Sequence, residues 1–134
     1  MNKKSIIANL IFPEITGTIA DLEKKYPPRN LPSESIVTRF APSPTGFLHT
    51  GSLFTSLVSY RFAKQTQGVF FMRLEDTDQK REIKGSGEKV LEQLLIFGIN
   101  PDESYLHPGN YGPYIQSERK NIYDIVIKEM IIKG

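Results

Sequence analysis

The sequence predicts an α/β fold with parallel strands, and three observations predict it. A β-branched run at residues 36–41 is followed by a helical pattern and then by an apolar run at residues 69–74, so strand, helix and strand succeed one another over about 40 residues. The second run is apolar almost without a break, the pattern of a strand buried on both faces of a parallel sheet. Such a βαβ unit crosses over right-handed. Only two strands are evident in 134 residues. Two strands leave the edges of a doubly wound sheet bare, so the chain is expected to stop part-way through a larger domain, to expose an apolar edge and to self-associate or need stabilising.

Residues 1–26 read as two short helices. Ile6, Ile7, Leu10 and Ile11 fall on one face of the first, and Ile19, Leu22 and Tyr26 on one side of the second. The basic start and the apolar stretch behind it imitate a signal peptide. Asn9 interrupts that stretch, however, and Pro13-Glu14 follows in place of a small-residue cleavage site, so an amphipathic helix is the reading adopted. Pro27, Pro28 and Pro32 forbid a helix through the next segment, which forms a stiff connector. The division expected is therefore a helical leader and Pro-rich connector over 1–35 and the strand-bearing part over 36–134.

Within that second part, prolines bound the first strand. Leu53, Phe54, Leu57, Val58 and Phe62 recur at helical spacing across 51–65, with the helix ending near Gly68. A helix over roughly 86–97 turns Val90, Leu91, Leu94 and Leu95 inward. Another over roughly 116–133 turns Ile122, Tyr123, Val126, Ile127, Met130 and Ile131 inward. Ser86 and Ser117 are the expected N-caps, and Gly134 ends the last helix. Residues 100–114 form a loop rich in Pro, Gly and Tyr.

Composition excludes several functions. With 39% hydrophobic and 24% charged residues the chain is globular. It has no cysteine, which removes disulfide scaffolds and thiolate metal sites. His49 and His107 are its only histidines, so no protein-bound metal is expected. No apolar run approaches the roughly 20 residues of a membrane helix, and the expectation is a soluble, cytoplasmic protein without a membrane partner. Net charge is +2, with eight basic and four acidic residues in 1–67 against nine and eleven in 68–134. Neither half could hold nucleic acid by charge alone, so any such role depends on placement.

Familiar phosphate and metal motifs are absent. Gly85-Ser86-Gly87 lacks the third glycine of a dinucleotide fingerprint and follows charged residues instead of a strand. Nothing has P-loop spacing. Asp76-Thr77-Asp78 opens like a calcium loop, but Lys80 and Arg81 stand where a ligand and the turn glycine belong. The informative stretch is residues 39–52, which leaves the first strand and enters the following helix, the crevice where open α/β sheets bind ligands. Pro42 and Pro44 stiffen it, Gly46 and Gly51 remove Cβ atoms where a ligand would press on backbone, and the helix start offers N–H groups to an anion. His49 stands where it could donate to a phosphate oxygen. A stiffened turn with His49 as cap or filler fits the same residues equally well.

Resemblance separates the two. Residues Arg39 to Gly46, Arg-Phe-Ala-Pro-Ser-Pro-Thr-Gly, with His49 and Gly51 behind them, resemble the first signature of the class I aminoacyl-tRNA synthetases in its glutamate-specific setting. The likeness continues through Gly68 to Asp78, reappears at Tyr111-Gly112-Pro113-Tyr114 and at Gln116-Ser117-Glu118-Arg119, and covers residues 36–134. Thr50 replaces the usual aliphatic residue, and Ser52 stands at the second histidine's place. The second class signature, Lys-Met-Ser-Lys-Ser, does not occur in these residues. The resemblance implies the first half of a Rossmann-like synthetase fold, in a ligase that activates glutamate with ATP and magnesium and transfers it to tRNA(Glu), with tRNA(Gln) an open second acceptor. The complete enzyme is expected to be a monomer. The 134 residues alone are expected to show no glutamate-dependent ATP–pyrophosphate exchange.

The roles implied follow residue by residue. His49 and Gly51 carry catalysis by holding the ATP phosphates, with Pro44, Thr45, Gly46 and Ser52 completing the ATP site. Arg39, Ala41, Ser43 and Glu75 form the glutamate site, Arg39 pairing with a carboxylate and Glu75 taking the ammonium. An Arg39–Glu75 salt bridge across neighbouring strands is the structural alternative, and Arg73 shares the strand face of Glu75, where it could orient that carboxylate. Asp78, Lys80 and Arg81 are candidate tRNA contacts; a solvated charge run explains them equally well. Two other functions stay open. One is the short synthetase-like enzyme that glutamylates a modified base of tRNA(Asp), echoed in Gly51-Ser52-Leu53; the other is a truncated, inactive binding module.

Overall fold

Two short strands in parallel register carry the fold. In the computed structural model, which describes residues 2–78, 80 and 83–134, β1 (Val37–Phe40) pairs with β2 (Val69–Met72), Val37 opposite Val69 and Phe40 opposite Met72. Between them runs α3 (Thr50–Gln65), the crossover that parallel strands require. Two helices precede β1, namely α1 (Lys3–Ile11) and α2 (Ile19–Lys25). After β2 come α4 (Ser86–Ile96), a 3-10 turn at Ser117–Arg119 and α5 (Lys120–Lys133). No helix among the described residues is long and apolar enough to cross a membrane.

The α/β expectation is met, but the second strand has neighbours on both edges, where two strands alone would leave one bare. On its far side Phe71 bridges Glu103 and Leu74 bridges Ile115, both in parallel sense. Met72 N–H donates to Glu103 O at 2.9 Å, and Leu74 N–H to Tyr114 O at 2.9 Å. Single-residue bridges thus occupy an edge where the sequence shows no further strand.

Packing divides the chain into two units. In the unit Asn30–Ser117, Phe40, Phe70, Met72, Val90, Leu94 and Ile99 form the core beneath α3 and α4. Both helices end in the same device. Gln67 at φ 54° and Gly98 at φ 70° turn the chain left-handed, and the next N–H reaches back to Ala63 O (2.8 Å) and Leu94 O (2.9 Å). The left-handed terminator of α3 is therefore Gln67, not Gly68.

The other unit joins the amino-terminal residues up to Arg29 to Glu118–Gly134. Contact thus groups α5 with the leader helices, where the sequence-based division put it with the strands. The reason is local: Ile125 is buried, its Cδ1 lies 2.7 Å from where a Cβ on Gly17 would stand, and Lys128 Nζ donates to Phe12 O (3.1 Å) and Ile15 O (2.6 Å). A capping box at Thr18 and Asp21 starts α2, and the hydrogen bonds from the Thr18 hydroxyl and N–H hold the Asp21 carboxyl below its ordinary value.

Several inward faces differ from the helical wheel. In α1 the buried residue is Ala8, while Ile6, Ile7, Leu10 and Ile11 are exposed, Leu10 by 75%. In α3 Ser56 and Ala63 are buried, whereas Phe54 and Phe62 are exposed. Leu95 of α4, and Ile127 and Met130 of α5, also face outward. In α1 and α3 the buried positions are small residues, which let backbones approach closely. The expected N-caps move by one or two residues: Gly85 caps α4 with Ser86 as its first residue, and Arg119 precedes α5, whereas Gly134 does end α5 at φ 89°.

One phenol carries a pH signature. Burial, reinforced by the charge of Glu88, pushes the Tyr105 phenol up to about 12. The unfolded phenol ionises near 10, so the folded state holds its proton longer, and stability is expected to fall as pH rises from about 10 towards 12. A phenolate absorbance titration should find one of the six tyrosines ionising last. Loss of that late step in Tyr105→Phe checks the assignment.

Candidate functional site

The residues after β1 build the site. The ladder outlasts the strands: Arg73 N–H donates to Phe40 O (2.9 Å), Glu75 N–H to Pro42 O (2.8 Å) and Ile83 N–H to Pro44 O (2.9 Å). Pro42 and Pro44 are buried, and with no N–H of their own they enter these bonds only as acceptors. From the other side α4 braces the loop. Gln93 Oε1 accepts from Leu48 N–H at 2.9 Å, and Lys89 Nζ stands 5.9 Å from the centre of the Phe47 ring. Replacing Gln93 by alanine should cost about 1 kcal/mol, readable as a lowered urea midpoint, by leaving the half-buried Leu48 N–H unpaired.

Between β1 and α3 the loop encloses a cleft of about 560 Å³. Ala41, Ser43, Thr45, Gly46, His49 and Ser52, all singled out from the sequence, line it. Gly46 holds φ at 147°, which only glycine adopts freely. His49 is the N-cap residue of α3, yet its side chain makes no capping hydrogen bond and stands exposed, so it is not spent as a cap. The first turn of α3 carries no acidic residue, and its unpaired N–H groups and positive dipole end remain uncancelled. Phe40, Ile83 and Val90 give the cleft an apolar floor that composition and spacing did not reveal.

Other predicted residues lie outside the cleft lining. Gly51 is exposed at the second position of α3, and a Cβ built on it meets nothing within 4 Å. Pro44 is buried beneath the loop. Arg39 is exposed on β1 opposite Phe71, and Glu75 is half-buried beyond β2. Neither side chain pairs with the other or with any described residue, so the salt-bridge alternative does not occur among the described residues. Arg73 lies over the Phe71 ring at 5.2 Å, and that ring meets Tyr114 edge-on. Asp78 and Lys80 are exposed, and Arg81 lies outside the described residues.

Two residues gain a place the sequence did not disclose. Asp76, read as part of a charged loop, is 6% exposed and accepts from Ser117 N–H at 2.8 Å and from the Ser117 hydroxyl at 2.5 Å. Tyr114 donates its hydroxyl proton to Glu103 at 2.5 Å. Both partnerships cross long loops, and no local pattern announces them.

Comparison with known proteins agrees with this fold. Residues 35–134 match the family of tRNA synthetases class I (E and Q), catalytic domain. The chain is 43% identical over 132 residues to the glutamate–tRNA ligase of Clostridium beijerinckii, covering 96% of the chain and 24% of the relative. It is 49% identical over 100 residues to that of Chlorobium phaeobacteroides, covering 75% and 20%. Among solved structures, the glutamate–tRNA synthetase of Elizabethkingia anophelis superimposes with a TM-score of 0.70 at 48% identity, over 74% of the chain and 20% of that structure. A glutamate tRNA ligase from Elizabethkingia meningosepticum, solved in complex with its amino acid, gives 0.69 at 50%, over 75% and 20%. The chain thus spans about a quarter or less of the length of these relatives. With the strand-to-helix cleft, the signature residues along its wall and a family match over residues 35–134, the chain belongs to the class I tRNA synthetases for glutamate and glutamine, within their catalytic domain.

Proposed function

We propose that this chain supplies the adenylate-forming crevice of a glutamate–tRNA ligase. The observation that carries the reading is the cleft itself: Thr45, Gly46 and His49 converge at the carboxyl end of β1 beside an uncapped helix start, where a nucleotide triphosphate finds N–H donors and a positive field. ATP enters as its magnesium complex. His49 and the first turn of α3, with Gly51 at its second position, hold the phosphates, and Pro44, Thr45, Gly46 and Ser52 shape the wall. Glutamate lies alongside, with Arg39 on a carboxylate, Ser43 as hydrogen-bond partner against Ala41, and Glu75 on the ammonium. That Arg39 and Glu75 are not paired with described residues supports this assignment, since each keeps its charge for a ligand.

The chemistry needs no covalent enzyme intermediate. The glutamate carboxylate attacks the α-phosphate and pyrophosphate leaves; a hydroxyl at the 3′ end of tRNA(Glu) then attacks the adenylate carbonyl and AMP leaves, so the protein contributes alignment and charge stabilisation. Asp78 and Lys80, with Arg81 next to Lys80 in the sequence, are assigned to contact the tRNA end. The ligase acts in the cytoplasm as a monomer, and tRNA(Gln) is a second acceptor to be assayed.

A chimera tests the reading. The matching segment of the Clostridium beijerinckii ligase is replaced by residues 35–134, and charging of tRNA(Glu) with glutamate is measured. Activity is expected, with Arg39→Ala lowering kcat/KM for glutamate at least about 100-fold, as loss of a charged pair implies. A chimera that folds, melts like the parent and yet fails to charge tRNA would remove the proposal.

A further inference from the structure

We propose that Asp76 is a positioning residue: its clamp on Ser117 fixes the direction of the neighbouring Glu75 carboxylate. This inference rests on the reading of Glu75 as the ammonium contact. Past Met72 the chain is no longer a regular strand, yet it is stitched on both sides. Glu75 N–H donates to Pro42 O (2.8 Å), while Leu74 N–H donates to Tyr114 O (2.9 Å) and Gln116 N–H to Leu74 O (2.8 Å). Directly after Glu75 the anchor is the Asp76 side chain. Both of its oxygens are engaged, one by Ser117 N–H (2.8 Å) and one by the Ser117 hydroxyl (2.5 Å).

Alternation explains why this matters for Glu75. Leu74 and Asp76 are both buried, at 6% exposure each, so in extended chain the side chain between them must leave on the opposite face. Leu74 is held by apolar contact, which is indifferent to small rotations; Asp76 is held by two directional bonds to one residue. Each of the two Ser117 donors meets its own oxygen, an arrangement that a carboxylate supplies and an amide, with one oxygen, does not. The clamp also gives Ser117, expected from the sequence as an N-cap, a different role: it closes over the end of the Glu75 strand.

The test uses Ser117→Ala and Ser117→Thr in the chimera and in the 134-residue chain. In the chimera, Ser117→Ala should raise the glutamate KM about tenfold with the ATP KM unchanged, and Ser117→Thr, which keeps the hydroxyl, should restore it. In the chain itself, hydrogen exchange at the Glu75 N–H should quicken about tenfold in Ser117→Ala and not in Ser117→Thr. A merely structural bond would lower the unfolding midpoint and leave the glutamate KM where it was. An unchanged glutamate KM in an active chimera, or unchanged exchange at Glu75, overturns the proposal. A parent chimera without charging activity counts against the ligase reading instead, and exchange at Glu75 then decides the clamp alone.

Discussion

Gly68→Ala is expected to be the most destabilising single substitution in the strand-bearing unit, with a loss of about 4 kcal/mol or more. A Cβ built on Gly68 stands 1.9 Å from the carbonyl oxygen of Ile36, and 2.8 Å and 2.9 Å from that residue's carbonyl carbon and amide nitrogen. Backbone cannot yield as a side-chain tip does. The same crossing makes two other bonds, Val69 N–H to Ile36 O and Ile36 N–H to the Thr66 hydroxyl, so separating the segments breaks the entry to both strands. Such a loss is comparable with the whole stability of many domains, and urea unfolding should show little cooperative transition. Gln67→Gly is the companion variant. Gln67 already sits at φ 54°, so glycine there should leave the fold intact and add up to about 1 kcal/mol. A normal transition for Gly68→Ala would show that β1 does not lie this close to the end of α3.

Gly51→Ala should do the reverse: keep or improve the fold and abolish nucleotide use. A Cβ at this position meets nothing within 4 Å, and Gly51 lies inside the first turn of α3, where alanine is the better helix former by about 1 kcal/mol. Nothing in the packing calls for glycine there. If ATP phosphates press against that turn, as proposed, the added methyl occupies their place. The chimera carrying Gly51→Ala should lose about 100-fold or more in ATP–pyrophosphate exchange while melting no lower than its parent. Unimpaired exchange would move the phosphates away from Gly51. The two glycines thus separate a demand of the fold from a demand of the ligand.

Legibility differed by the kind of information involved. The strands, the crossover helix and α4 were readable because each is a local pattern of a few turns or one apolar run. The cleft was readable because its wall, Ala41 to Ser52, is nearly continuous in sequence and carries the family signature. The faces of α1, α3 and α5 were less so: a helical wheel marks where apolar residues recur, and these helices pack through Ala8, Ala63 and Ile125 instead, leaving Leu10, Phe54 and Met130 exposed. The end of α3 near Gly68 was readable, but the left-handed residue there is its neighbour Gln67, and Gly68 serves the crossing with Ile36.

By itself the sequence determined the α/β class, the parallel pair, the cleft-forming loop and the family, since all of these lie in hydrophobic period and contiguous signature residues. Tertiary structure alone decided that Gln93 of α4 braces Leu48, that Asp76 closes on Ser117 and that α5 packs with the leader helices. These pairings join residues 41 or more positions apart, and a hydrogen bond over that distance is set by how elements meet in space. No residue's neighbours in the chain encode it.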